Sequence, residues 1–146
     1  MMKTLCRIAG MLALAFLAAH VVQAQEPVLA KIPFAFTAGT MTLPAGEYRV
    51  EKLATATGSP LLIQRTDNSA STIVMSNATE ANKEQEHSKL VFHCYGNRYF
   101  LSQIWVEGNS RGRELPQSAQ EKEALQARND KPEEVTIVAR LAAPKP

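Results

Sequence analysis

Residues 89–95 and 98–106 (KLVFHCY and RYFLSQIWV) are two runs rich in β-branched and aromatic side chains, separated only by Gly96-Asn97. A two-residue connection whose glycine can adopt positive φ joins neighbouring antiparallel strands. The sequence therefore predicts a hairpin in which Cys94 opposes Tyr99, His93 opposes Phe100 and Phe92 opposes Leu101. Large apolar groups occupy both faces of this pair, which places it centrally in a sheet.

Shorter runs of the same kind surround it. Residues 28–37 (VLAKIPFAFT) set Ile32, Phe34 and Phe36 on one face, with Pro33 suited to an edge strand or a bulge because it lacks an N–H. Residues 47–53 point Tyr48 and Val50 inward and Glu47, Arg49 and Glu51 outward, and Leu43-Pro44-Ala45-Gly46 before them reads as a tight turn. Residues 61–66 and 71–77 form a second hairpin through Asp67-Asn68-Ser69. Residues 79–88 (TEANKEQEHS) read as a solvated rim loop, and the polar stretch after Gly108 (NSRGRELPQ) as a mobile loop.

Only one helical pattern occurs. Ser118 followed by Glu121 makes a capping box ahead of residues 119–128, which lack Gly, Pro and β-branched residues. Its apolar side is limited to Leu125 and alanines, so the helix leans on the sheet without organising a core. Asn129-Asp130-Lys131-Pro132 ends it, residues 134–141 (EVTIVARL) return as a last strand, and a short Pro-rich tail follows. The expected fold is mainly β: a small antiparallel barrel or sandwich of about seven or eight strands with one peripheral helix.

The first 24 residues read as a secretory leader: Lys3 and Arg7, an apolar stretch from Ile8 to Ala19, then Val22-Gln23-Ala24 before Gln25. His20 and Gln23 interrupt the run short of the roughly 20 apolar residues that a membrane span needs. Cys6 precedes the apolar run, opposite to where a lipid-bearing cysteine stands. Residues 25–146 are then a single secreted or periplasmic domain, with no stable membrane span once the leader is removed. The chain's formal charge of +2 comes from Lys3 and Arg7, so this domain is neutral and offers no basic field for nucleic acid. Removing Cys6 leaves Cys94 alone, which forbids an internal disulfide and favours a buried, inert thiol. Asn77-Ala78-Thr79 fits a glycosylation acceptor, which matters only in a host that secretes through an endoplasmic reticulum.

Ile32-Pro33-Phe34-Ala35-Phe36, Leu43-Pro44-Ala45-Gly46-Glu47-Tyr48, the run from Lys89 to Trp105, and Gly112-Arg113-Glu114-Leu115-Pro116 together resemble an uncharacterised group of small secreted proteins known chiefly from acidobacterial genomes. The resemblance spans nearly the whole of residues 25–146. It implies an exported or bacterial-envelope location and carries no activity. Similar sequences hold a basic residue where Cys94 stands, which counts against a catalytic thiol.

Catalytic constellations are poorly supplied. Adjacent residues on a strand project to opposite faces, so His93 cannot activate Cys94, and His87 could do so only if its loop folded back. No serine has a G-x-S-x-G setting, and Asp67 and Asp130 both sit in turn sequences. Glu84, Glu86 and His87 are close together but lie in a solvated run, short of a metal-ligand set. No pair of carboxylates is singled out for glycoside hydrolysis. Tyr95, Arg98, Tyr99 and Phe100 superficially fit a base-stacking sheet, against which stand the compartment and the neutral charge.

The expected function is accordingly non-enzymatic: an exported binding or envelope-associated module without cofactor or metal. Its partner would be an envelope component or a small apolar ligand. One alternative is a carrier that holds such a ligand in a β-barrel lined by Phe34, Phe36, Phe92, Tyr99 and Trp105, the same five aromatics that an ordinary core would use. The other is a hydrolase of unrecognised type, for which His87 or His93 would have to meet a carboxylate in a cleft.

Overall fold

The computed structural model describes residues 27–53, 59–128 and 131–142. The leader at residues 1–24, the breaker pair Asn129-Asp130 and the tail from residue 143 lie outside the described residues. No helix among the described residues is long and apolar enough to cross a membrane.

The described residues form a mainly β fold, with two sheets and one helix. The first sheet has the order β12 (Arg140–Leu141), β1 (Val28–Ile32), β4 (Gly46–Lys52), β5 (Pro60–Arg65), β6 (Ser71–Met75). The second runs β11 (Glu133–Val138), β8 (Lys89–Tyr95), β9 (Arg98–Trp105), β10 (Arg111–Glu114), β7 (Asn77–Glu80), and β9 also carries β2 (Phe36–Ala38), which pairs with β3 (Met41–Leu43). Both sheets are open, so the described strands make no closed barrel. All pairings are antiparallel except β2 with β9, joined in parallel at Thr37 and Phe100.

Three of the expected strands are each split in two, which raises the strand count above the expected seven or eight. Residues 28–37 break at Pro33, which cannot donate to a ladder; β1 stays in the first sheet and β2 enters the second. Residues 71–77 break at Ser76, whose hydroxyl donates to Ser59 O at 2.6 Å while Arg113 holds its carbonyl. Residues 134–141 break at Ala139, where the N–H turns to Ser88 O. Each break is a corner at which the chain passes between the sheets. Leu43 to Gly46 is likewise a corner between β3 and β4 and not a hairpin turn. It is held by the fully buried Tyr48, whose hydroxyl donates to Pro44 O at 2.6 Å.

Two expected loops contain strands. β7 and β10 (NATE and RGRE) hold only one β-branched residue between them, Thr79, but β10 is laddered on both sides, to β9 and β7. Gly112 permits this, because Trp105 lies directly across the ladder. A Cβ at Gly112 would come within 2.6 Å of Trp105 Cε3 and 2.9 Å of Ile104 O.

The central hairpin has the expected register, with Cys94, His93 and Phe92 opposite Tyr99, Phe100 and Leu101. Gly96 takes φ +70°, and Asn97 does not share the positive φ, the pattern of a type II′ turn. A bulge between Val91 and Phe92 then shifts the ladder so that Val91 faces Gln103. The extra residue turns Ile104 into the core and Trp105 to the opposite face. The Asp67-Asn68-Ser69 hairpin also forms, with Asn68 at φ 63° and Asp67 Oδ1 accepting the Ser69 N–H at 2.9 Å.

The core lies between the sheets. Ala30, Ile32, Tyr48, Val50, Leu61 and Ile63 of the first meet Phe36, Leu43, Leu90, Phe92, Leu101 and Ile104 of the second. A fully buried side chain of this size contributes about 1.5–3 kcal/mol. On the far face of the second sheet, α1 (Ala119–Arg128) sets Ala124 and Leu125 against Tyr95 and Phe100. The capping box is half formed: Ser118 Oγ accepts the Glu121 N–H at 3.1 Å, while the Glu121 carboxylate turns away to His93.

Candidate functional site

Four of the five aromatics singled out for a ligand cavity come together. Phe34 stacks on Tyr99 with centroids 3.8 Å apart and meets Phe92 edge-on at 5.1 Å; Phe36 meets Phe92 at 5.4 Å and Tyr48 at 5.1 Å. Phe36 and Phe92 are fully buried, so these rings pack against one another in the core. Trp105 stands apart, over Gly112 on the opposite face of the sheet, its indole N–H donating to Gln103 Oε1. None of the five lines the clefts described below.

The nucleophile and base candidates do not converge. Cys94 is buried, and its thiol donates to Gly96 O at 3.1 Å. His93 projects from the other face, where Nδ1 lies 2.9 Å from Glu121 Oε1. An ionised carboxylate only accepts, so Nδ1 carries the proton. This hydrogen bond holds His93 above its ordinary value against an opposing effect of burial, with the charges of Glu121, Glu134 and Glu114 adding to the rise. Tyr95, whose hydroxyl is 3.5 Å from the same oxygen, is also pushed up, first by burial and then by the charge of Glu121. The pair is absent from the lining of the clefts below. His87 is exposed on the rim loop, and no group of three potential metal ligands occurs among the described residues.

A cleft of about 510 Å³ opens at one end of the sandwich, between β4 and β5 of the first sheet and β7, β9 and β10 of the second. Its base is apolar: Val28, Val50, Leu61 and Ile104, all buried. Its walls carry Lys52 and Glu51 on one side and Ser110, Arg111 and Arg113 on the other. β10 sets these arginines by simple alternation. Gly112 faces outward to Trp105, so Arg113, opposite Ile104, and Arg111 both face the interior side.

Arg113 donates from Nε to Ser76 Oγ at 2.9 Å and from Nη2 to Ser76 O at 2.7 Å. Both acceptors are neutral, and burial pushes the guanidinium below its usual value. Among the described residues no carboxylate forms an ion pair with Arg111, Arg113 or Lys52, whereas Glu51 lies 3.5 Å from Arg49.

The chain matches no protein-family model, no curated protein and no solved structure. Its own geometry is the guide to its chemistry.

A second hollow, about 610 Å³, lies on the outer surface of the first sheet between Leu29, Arg49, Gln64 and Arg65. Its arginines face partners already, Arg49 with Glu51 and Arg65 with Asp67. The end cleft is the stronger candidate because, among the described residues, none of its cations forms an ion pair. The sequence concealed it: Arg111 and Arg113 read as loop residues, and only the strand pairing of β10 turns them inward.

Proposed function

We propose that the chain is an exported, non-enzymatic binding module, secreted or periplasmic, that takes its ligand in the cleft at the open end of the sandwich. The observation that carries this reading is the pair of arginines on the core-facing side of β10, above a base of Val50, Leu61 and Ile104. Arg113 is half-buried and held only by neutral acceptors, so its guanidinium carries a desolvation cost that a ligand can offset, while Arg111 stands exposed beside it. Export rests on the basic start, apolar run and Val22-Gln23-Ala24 site of the leader. A carrier, the alternative reading, would have to take its ligand in the end cleft, because Phe34, Phe36, Phe92 and Tyr99 pack against one another.

Native mass spectrometry of the protein recovered from its own envelope tests both parts. The expected species begins at Gln25 and carries a non-covalent small molecule that is lost when Ala78, an exposed residue lining the cleft, is changed to Trp. A chain that still begins at Met1 contradicts export. A bound molecule retained by the Ala78→Trp variant contradicts the cleft.

A further inference from the structure

We propose that the free edge of β6 pairs with β6 of a second copy of this chain, antiparallel about a two-fold axis at Ile73, so that the first sheets of the two copies run on as one. This pairing does not involve the end cleft, which none of Ser71, Ile73 and Met75 lines.

The ladder between β5 and β6 fixes which backbone groups are free. The Arg65 N–H donates to Ala70 O at 2.8 Å, so these two residues form a bonded pair, and bonded pairs alternate with unbonded ones along an antiparallel ladder. Thr72 opposite Ile63 and Val74 opposite Leu61 therefore bond to β5. Ser71, Ile73 and Met75 turn their N–H and C=O the other way, outward from the edge where β6 ends the sheet. Pro60, which has no N–H to give, stands opposite Met75 in agreement with this phase. The same three side chains lie on the outer face of the sheet, with Ile73 61% and Met75 53% exposed.

The other edges among the described strands carry features that ordinarily deter strand addition. β12 has two residues, one of them Arg140; β11 opens with Glu133 and Glu134 behind Pro132; β7 ends in Glu80; β3 has three residues. β6, Ser-Thr-Ile-Val-Met, has five residues and no charge, proline or bulge. Residues 70–77 are uncharged throughout, so the edge offers a charged partner nothing to recognise, whereas a second copy meets it without like-charge opposition. The strand also complements itself. A two-fold axis at Ile73 sets Ile73 against Ile73 of the copy and Ser71 against Met75, so every outward-facing residue meets another and each pair exchanges both of its N–H···O bonds. The contact uses up both free edges, and β12 at the far end of each sheet stops further growth.

Sedimentation equilibrium of the full exported chain tests the proposal, and the expected mass is that of two chains. Ile73→Lys sets like charges together on the axis and should weaken the dimer roughly tenfold or more. An equimolar mixture of the Ile73→Lys and Ile73→Glu chains should restore it, because opposite charges then face each other across the two strands. Val138→Lys, which changes a residue of β11 in the second sheet that is 66% exposed, should leave it intact. Circular dichroism of the variants checks that they fold. Amide exchange of the unsubstituted chain needs no variant: Thr72 and Val74 should be protected at every concentration, and Ser71, Ile73 and Met75 only as the dimer forms. A chain that sediments as a monomer throughout overturns the proposal, as does a dimer that is indifferent to Ile73→Lys or is dissociated equally by Val138→Lys. Protection of Ile73 and Met75 in a monomer shows that another segment of the same chain covers the edge, and overturns it too.

Discussion

Glu121 Oε1 lies 2.9 Å from Nδ1 of His93, so a carboxylate at the first turn of the only described helix is bonded to the central hairpin of the second sheet. Apart from Ala124 and Leu125 against Tyr95 and Phe100, little apolar surface fastens this helix. The ion pair is therefore a principal tether.

Its pH dependence has a defined sign. The folded His93 titrates above the usual 6.5, through its hydrogen bond to Glu121. A raised histidine adds stability that is complete below the unfolded value and is lost as pH rises through the folded one. The denaturant midpoint of the parent should accordingly fall as pH rises from slightly acid through neutral. Glu121→Gln should lower stability by about 1.5–3 kcal/mol at acid pH, the usual worth of a charged hydrogen bond, and flatten the profile. Parallel profiles for parent and variant would show that the pair does not act as a tether.

Gly96 holds the hairpin register at φ +70°, and a Cβ there would also run into Arg128 Nη1. Gly96→Val should cost about 1–3 kcal/mol, the range for a strained backbone position. Tryptophan fluorescence and circular dichroism should report the loss at the same denaturant concentration. Glu84→Ala on the exposed rim loop should change little. An unchanged midpoint for Gly96→Val would contradict the turn.

Gly112 is required by the ring above it. In Gly112→Ala the new methyl meets both Trp105 and the backbone oxygen of Ile104, and the latter cannot swing aside. A cost of about 1–3 kcal/mol is expected, as for an overpacked interior. Emission from the chain's single tryptophan should shift as its ring is displaced. Unaltered emission and stability would place Trp105 elsewhere.

Cys94 is buried opposite Tyr99 with its thiol bonded to Gly96 O. A thiol reagent should label it only after denaturant is added. Rapid labelling of the native chain would make the thiol accessible and reopen a chemical role for it.

How much of this was legible in the sequence depends on how local the signal was. The Gly96-Asn97 and Asp67-Asn68-Ser69 hairpins and the 119–128 helix were readable because turn glycine, Asx chemistry and the Ser118 cap act within a few residues. The strand corners were not, since Ser76 bends the chain by bonding to Ser59 and Arg113, the latter 37 residues away. β10 was hidden for the same reason. Arg111-Gly112-Arg113-Glu114 has the composition of a loop, and its extended form comes from the ladders on both sides and from Trp105 covering Gly112. The site followed the strand: once β10 was read as a loop, its arginines could not be placed facing the interior. The Glu121–His93 bond joins positions 28 residues apart, and the capping role read for Glu121 pointed its carboxylate elsewhere.

Binding in the end cleft is tested by comparing the amide chemical shifts of the labelled chain as recovered from its own envelope with those of the same chain after unfolding and refolding have stripped any bound small molecule. Changes are expected to concentrate at Val50, Lys52, Leu61, Ala78, Ile104, Arg111 and Arg113, which surround the end cleft. Changes centred instead on His93, Tyr95 and Glu121, or on Leu29, Arg49 and Arg65 of the outer sheet surface, would contradict it.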